Sequence, residues 1–585
     1  MSAGHLPRLC LNLCICPLST QRGNMRSIIQ TIAAFGALLL CTGAGAPPRI
    51  DYVLTPVMEQ GSLRAVQIDL QFRGDADGES DVRLPDNWGG QDELWHAIQG
   101  LEIVSGASAM RQGEQPNQRL ITHRPNARIH LRYRVIQDWD GVPRAEIGNV
   151  YRPTIQPTYF HLIGNAFMVT PGAPPAETRV RFTVRGLPRG WSYASDLERD
   201  DLTLGEVWQS VVVGGDFRIL RDPRSKVRLA IRGEWSFSDQ DFLDRAANIL
   251  SSERAFWNDD ATPYLVTVLH LDGPEGWVSV GGTGLDDAFA FFATPNAEQT
   301  TIMRTLAHES FHTWISPQVG GLPQEDQALQ YWLSEGFTDY YTARLLVRGG
   351  QWTAAQYVAD LNNALRDYAQ SPVRTAANAQ ISANFWSDRN TQRQPYFRGR
   401  FLAMIWQERL RQNGGSFDDL VHDMRRRAQQ GEQYAVEVFR QSAAAARLDL
   451  GSDIETYVDQ GAPIVLPENL LAPCGRITTR EAPLFHRGFD IEATHTNNDV
   501  ITGVDRTLPA YAAGLRDGMV LVRRASGEIG NADLEIAYVV RDGETERTFR
   551  YMPRGHGSYT LQQMELAPDL EGERLAQCLA LIGGG

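Results

Sequence analysis

Histidine is scarce in this chain, with 12 in 585 residues, so any pair at a functional spacing is informative. Cysteine is scarce too. Of the six, Cys10, Cys14 and Cys16 fall in the first 24 positions; no fourth ligand or second pair accompanies them, and the segment reads as leader rather than as a metal site. There is no basic tract, and 56 Lys plus Arg against 70 Asp plus Glu leave a net charge of −14. That excludes the electrostatic footprint of a nucleic-acid binder. Beyond the first 46 residues no apolar run is long enough to span a bilayer, so no transmembrane helix is expected in the mature chain.

Length sets the next bound. A chain of 585 residues exceeds what one core supports, and about three to four domains are expected. From Met25 the chain runs Met-Arg-Ser, an apolar stretch from Ile28 to Leu40, and Thr-Gly-Ala-Gly-Ala up to Ala46. A charged start, an apolar run and a small-residue cleavage zone make a secretory signal peptide. Residues 1–46 are therefore read as leader and signal, with Met25 as the true start, and the mature protein as periplasmic or secreted. Cys41 raises the question of a lipid anchor, but Leu40 precedes it where a small residue is wanted, which favours soluble export. Cleavage leaves Cys474 and Cys578. An even pair in an exported chain reads as a disulfide closing one small domain, with two buried free thiols as the alternative.

The chemistry is concentrated in two short stretches. Residues 308 to 312 are His-Glu-Ser-Phe-His, and Glu335 follows in Trp-Leu-Ser-Glu-Gly-Phe-Thr-Asp. Histidines four apart lie one turn apart on one helix face, so both imidazoles can reach one Zn2+ at about 2.0 to 2.1 Å. Glu309 points beside the metal, where a carboxylate takes a proton from an activated water instead of ligating. In the metzincin pattern a Gly and a third His follow on the same segment; here those positions are Ile315 and Gln318, which excludes that class. Glu335 is the candidate third ligand, at the opening of a second predicted helix. Asp339, one turn further on, is the acceptor expected for the outer N–H of His308. Ile302, Leu306, Ala307 and Trp314 give the first helix an apolar side, and Gly349-Gly350 stops the second.

Around this centre the chain divides in three. Residues 47–237 keep a period of two, as in Val66, Ile68, Leu70 and Phe72, then Ile129 to Val135, Val180 to Val184 and Val227 to Ile231, which predicts an antiparallel β sandwich or saddle-shaped sheet. Residues 238–465 mix a first helix with strands at Tyr264 to Leu271 and Ala288 to Thr294, a Gly-rich bend at Gly281 to Asp287 between them, and then a helical part. The Ala288 to Thr294 strand is expected to line the cleft and pair with substrate backbone. Strands followed by helices make the whole a multidomain α+β protein. Residues 474–585 form the last unit. Its landmark, Leu508-Pro-Ala-Tyr-Ala-Ala-Gly-Leu-Arg-Asp-Gly-Met, resembles the Ala-x-x-Ala-Gly-Leu-x-x-Gly stretch of PDZ domains, with His486-Arg487-Gly488-Phe489 in place of their carboxylate-binding loop. A PDZ-like unit implies a peptide partner added at a sheet edge, with a purely structural role as the alternative.

His308-Glu309-x-x-His312, Glu335-Gly336-Phe337 and a C-terminal PDZ-like unit in one exported chain resemble the glycyl aminopeptidase family of gluzincin zinc metallopeptidases. The 22 residues between His312 and Glu335 exceed the gap of the alanyl-type aminopeptidases. The resemblance implies an N-terminal β domain, a thermolysin-like zinc domain and removal of small N-terminal residues, Gly or Ala, from peptides. It also implies a Tyr-x-x-Gly segment, here Tyr396-Phe397-Arg398-Gly399, with Tyr396 as donor to the oxyanion; a helix-start core aromatic is the alternative. Relatives hold the substrate amine with a Glu in Gly-Gly-Leu-Glu. The matching stretch is Thr283-Gly284-Leu285-Asp286, so Asp286 is the amine candidate, one methylene shorter, against the reading that Asp286 and Asp287 are turn residues. Two rival functions stand beside the aminopeptidase: a zinc endopeptidase on the same scaffold, and a non-catalytic peptide-binding scaffold.

Overall fold

The computed structural model describes residues 11–13 and 49–584, apart from 146–148, 274–275, 324 and 432–433. The signal-peptide reading, with Met25 and Cys41, and the leader cysteines lie outside the described residues.

Period-two sequence forms strands as patterned. Ile50–Glu59, Ser62–Arg73 and Arg128–Val135 pair antiparallel, with Leu54 opposite Ile68 and Ile68 opposite Tyr133. Their inward residues Tyr52, Leu54, Val66, Ile68 and Leu70 are fully buried. Val180–Val184 joins the same sheet parallel to Ile50–Glu59. A second sheet of four strands orders as Ser192–Ser195, Val211–Gly215, Tyr159–Ile163 and Thr154–Gln156.

The strand at Val227 departs from the expected division at 237. β1 (Arg218–Asp222) and β2 (Val227–Arg232) belong to the sheet that carries β3 (Tyr264–His270), β4 (Val280–Gly284) and β5 (Ala288–Ala293). β2, β3 and β5 run parallel and β4 returns antiparallel on β5. Both faces of this sheet are covered, which is why β3 and β5 are apolar throughout rather than alternating. Ile231, Val266, Val268, Phe289 and Phe291 face the helices. Leu265, Leu269, Ala290 and Phe292 face Ile163, Val211 and Val213 of the N-terminal four-stranded sheet.

Two expectations about the cleft are corrected here. Gly281 to Gly284 of the Gly-rich bend belong to a strand, β4, with only 285–287 left as the bend, and β4 rather than Ala288 to Thr294 is an outer strand of the body, because β5 is enclosed between β3 and β4. Glycine is required there: a β-carbon on Gly282 would overlap the Phe289 ring. The outer side of β4 accepts an extended chain, since Leu11–Leu13 pair with it in parallel at Val280–Gly282.

The helices follow. α1 (Asp239–Trp257), capped by Ser238, and α2 (Gln299–Phe311) lie on the sheet, α2 through Ile302, Met303 and Leu306. α3 (Tyr331–Arg348) begins one turn before the expected start at Glu335 and is buried all round from Tyr331 to Val347, as a helix through the middle of a large core must be. α4 (Ala354–Gln370) opens with a Thr353/Gln356 capping box, and α5 (Arg389–Gln412) crosses α3. The crossing is set by two glycines: a β-carbon on Gly336 would overlap Gly399, and one on Gly399 would overlap the Trp332 carbonyl.

The C-terminal unit has a long hairpin, β6 (Gly475–Phe485) with β7 (Arg554–Leu566), and a sheet of Val520–Ser526, Ile536–Asp542 and Thr545–Tyr551 around Phe489, Ile501, Leu515 and Tyr538. The His486 to Phe489 loop leads into a helix, Ile491–Thr496, capped by Asp490, so no strand edge directly follows the loop for a peptide to extend. Cys474 and Cys578 form a disulfide. It does more than close this unit. Cys578 lies on α6 (Gly572–Gly583), which packs on α3; Arg344 and Arg348 of α3 donate to the carbonyls of Leu581 and Gly583 at 3.0 and 2.8 Å. Among the described residues no helix is long and apolar enough to cross a membrane.

Candidate active site

His308 lies in the last turn of α2 and His312 at its C-cap. The Nδ1 of His312 is 2.8 Å from the Ile315 carbonyl. A carbonyl only accepts, so Nδ1 carries the proton and Nε2 presents a lone pair. Glu335 reaches the same point from α3. His308 Nε2, His312 Nε2 and Glu335 Oε2 form a triangle with all three sides 3.3 Å, and His308 and Glu335 are almost fully buried.

This triangle fits a metal. Tetrahedral coordination at about 2.0 to 2.1 Å places neighbouring ligand atoms about 3.3 Å apart, and three protein ligands leave a fourth position open. Two imidazole lone pairs and a carboxylate oxygen converging at this distance repel unless a cation or a proton sits among them. His312 shows the same pressure: burial pulls its pKa down, yet the Glu335 carboxylate brings it up to about 9. Glu335 itself is raised by burial, but the two imidazoles hold it well below the usual carboxylate range. Among the described residues these three form the one group of His, Cys, Asp or Glu able to surround an ion.

Of the other sequence candidates, Glu309 and Tyr396 stand beside the triangle. Burial and Glu335 raise the Glu309 carboxyl while the two histidines lower it, with a net rise. Its carboxylate borders the end of β4, since a β-carbon on Gly284 would sit 3.8 Å from it. Tyr396 lies in the first half of α5, its ring stacked on His308 at 5.6 Å between centroids. Burial, then the Glu335 and Glu309 carboxylates, push its phenol well above the usual range; it stays a neutral donor. Asp286 lies in the β4–β5 turn, its backbone N–H donating to the Gln209 carbonyl at 3.0 Å, while neighbouring Asp287 binds Arg199 at 2.6 Å.

Asp339 stands behind His308, its Oδ1 3.8 Å from Nδ1, beyond hydrogen-bond range. Its bonds are instead to Arg304 at 2.6 Å and Arg400 at 3.0 Å. Burial raises its carboxyl, but the two guanidiniums hold it well below the usual range. Sequence reading missed both arginines and Asp360, which faces them. It also missed Glu253: the Ser310 hydroxyl lies 2.7 Å from the Leu306 carbonyl and 2.8 Å from Glu253. Glu253 accepts from the Ser310 hydroxyl and braces the back of α2, and burial pushes its carboxyl well up while that bond lowers it. Nothing in a single sequence links residue 253 to 310; only the sheet's covering helices bring them together.

No curated protein matches the chain significantly. Among solved structures, an aminopeptidase N family protein from Idiomarina loihiensis is similar at 14% identity, covering 91% of this chain and 100% of that one with a TM-score of 0.63. An M1 zinc metallopeptidase from Deinococcus radiodurans is 16% identical over 72% of this chain and 95% of its own, with a TM-score of 0.42. A mutant of it, bound to a Tyr-Ser-Ala substrate, gives 16%, 71%, 94% and 0.44. Fold and site together define a zinc metallopeptidase of aminopeptidase-like kind. More narrowly, residues 301–399 match the profile of the M61 glycyl aminopeptidases, a span that holds the triangle, Glu309, Asp339 and Tyr396.

Proposed function

We propose that this chain is an exported aminopeptidase that removes small N-terminal residues, Gly or Ala, from peptides, with Zn2+ held by His308, His312 and Glu335. The observation that carries the reading is the 3.3 Å ligand triangle with Glu309 and Tyr396 beside it. When bound, zinc supplies a Lewis acid that polarises the scissile carbonyl and acidifies the attacking water. Glu309 accepts the proton of that water as its oxygen attacks the carbonyl carbon, and burial, by raising its pKa, eases delivery of the same proton to the departing amine as the C–N bond breaks. Tyr396 donates its O–H toward the oxygen on which negative charge develops. The outer side of β4 offers backbone groups to an extended substrate, bringing its scissile bond past Gly284 to Glu309.

Amine recognition rests on Asp286 in the β4–β5 turn. An endopeptidase on the same scaffold is the second reading, favoured by the shorter Asp where relatives have Glu and by an edge strand on which an extended segment pairs at Val280–Gly282. Turnover of an alanyl peptide against its N-acetylated form separates them. An aminopeptidase rejects the blocked peptide, whereas equal cleavage of both would establish the endopeptidase. Export through the segment from Met25 belongs to the same proposal, and recovery of the chain outside the cytoplasm with a new N-terminus near residue 47 tests it. The PDZ-like unit is assigned a structural role in preference to peptide capture, because a helix follows its loop.

A further inference from the structure

The helix α4 bears on both the Asp339 side of the metal site and the C-terminal unit. On its inner side Asp360 accepts from Arg304 Nε at 2.7 Å, and its Oδ2 lies 2.7 Å from Arg400 Nη2, an ion-pair contact angled off a hydrogen bond. The same two arginines bind Asp339. The four residues thus close a ring of alternating charge, Asp360, Arg304, Asp339, Arg400, in which each carboxylate meets two guanidiniums and the net charge is zero. Arg400 is 1% exposed, so water does little to screen it. Asp339 faces the Nδ1 of His308, and Arg304 stands one turn before His308 on α2.

Nearly opposite on the helix, α4 holds the C-terminal unit. The amide of Asn362 accepts from the Met564 N–H at 2.7 Å and donates to the Met564 carbonyl at 3.0 Å, supplying at that residue the pair of bonds a neighbouring strand would make along β7. Gln370 donates to the Gly530 carbonyl at 2.8 Å, and Arg366 pairs with Glu528. We propose that α4 couples the seating of the C-terminal unit to the metal site: Asp360 is a positioning residue that, through Arg304 and Arg400, holds Asp339 behind His308, and the contacts of Asn362, Arg366 and Gln370 keep α4 in the place where Asp360 can do so. The inference rests on the zinc reading above. Removing the Asp360 charge leaves the buried Arg400 and half-buried Arg304 guanidiniums sharing one carboxylate close to where a dication would bind. Cation binding then weakens both by repulsion and by displacement of Asp339.

The test is zinc affinity, measured on the full chain by competition with a chromophoric chelator, for wild type, Asp360→Asn, Asp360→Glu and the double variant Asn362→Ala with Gln370→Ala. The dissociation constant is expected to rise about tenfold or more in Asp360→Asn, as on loss of a partner behind a ligating histidine, to recover in Asp360→Glu, and to rise by a smaller factor in the double variant. Wild-type affinity in Asp360→Asn overturns the positioning role. Wild-type affinity in the double variant, with the Met564 amide newly open to hydrogen exchange, overturns the coupling. If Asp360→Asn does not fold, the double variant decides. A wild-type chain that takes up no zinc overturns the zinc reading and this inference together, whereas normal wild-type uptake with unaltered variants overturns this inference alone.

Discussion

In the proposed reaction Glu309 and Tyr396 do the proton work, and substitution separates them from the residues proposed to hold metal. Glu309→Gln keeps the size of the side chain and removes its basicity, so turnover is expected to fall by at least about a hundredfold while zinc content stays at the wild-type value. Loss of zinc in that variant would place Glu309 among the ligands instead. Tyr396→Phe removes one hydroxyl donor next to Glu335, and the expected loss is about a hundredfold in kcat with little change in KM, as for an oxyanion donor. A change in KM alone would make Tyr396 a substrate-packing residue. At this scale the site was legible where its members are close in sequence or sit in a motif, as His308, Glu309, His312 and Glu335 do; Asp339 was placed behind His308, but its bonds go to arginines instead. Arg304, Arg400 and Asp360 were not legible, because arginine is common here and their meeting depends on three helices converging. Lys226 is the sole lysine of the chain, and a fork of planar donors, not a point charge, is what lets one cation bind Asp339 and Asp360 at once.

Among the elements, the contact of α3 with α5 carries the site, because Glu335 precedes Gly336 and Tyr396 lies one turn before Gly399. Backbones at this crossing touch, and Gly399→Ala would drive a β-carbon into the Trp332 carbonyl. The helices must separate to admit it, costing about 1 to 3 kcal/mol, read as a lowered Tm, and drawing Tyr396 from Glu335, read as lost activity in the folded protein. A Gly399→Ala protein with wild-type Tm and turnover would contradict the role given to this crossing. The helices themselves were readable from apolar spacing. The strand β4 was not, because glycine is a breaker in most strands, and only the packing of Phe289 beneath Gly282 explains its use. Its place as the open edge, which inverted the expected roles of β4 and β5, is a property of the sheet order and of no single segment.

The whole molecule is tied together at two large contacts. Where the N-terminal sheet meets the sheet of β1 to β5, His161 is fully buried, its Nε2 3.3 Å from the Thr267 hydroxyl and its ring edge-on to Phe292. Burial pushes its pKa down to about 3, so it is neutral in the native state, whereas an unfolded histidine titrates near about 6.5. Between those values the unfolded chain binds the additional proton, and stability therefore falls as pH drops from about 6.5 toward 3. The urea midpoint is expected to fall from about pH 7 to about pH 5, and to fall less in His161→Gln; identical slopes for the two proteins would contradict the assignment. At the other end, α6 returns to α3 under the Cys474–Cys578 disulfide, which a pattern of two cysteines could announce as a bond but not as a tie to the catalytic body.

The central claim is that this chain hydrolyses peptides through one zinc held by His308, His312 and Glu335. It is tested most directly by stripping the purified protein with a chelator and titrating zinc back while following cleavage of an alanyl peptide. Cleavage should vanish in the stripped protein and return to a plateau at one zinc per chain, with no return in Glu335→Gln. Full cleavage by the metal-free chain, or full recovery in that variant, would contradict it.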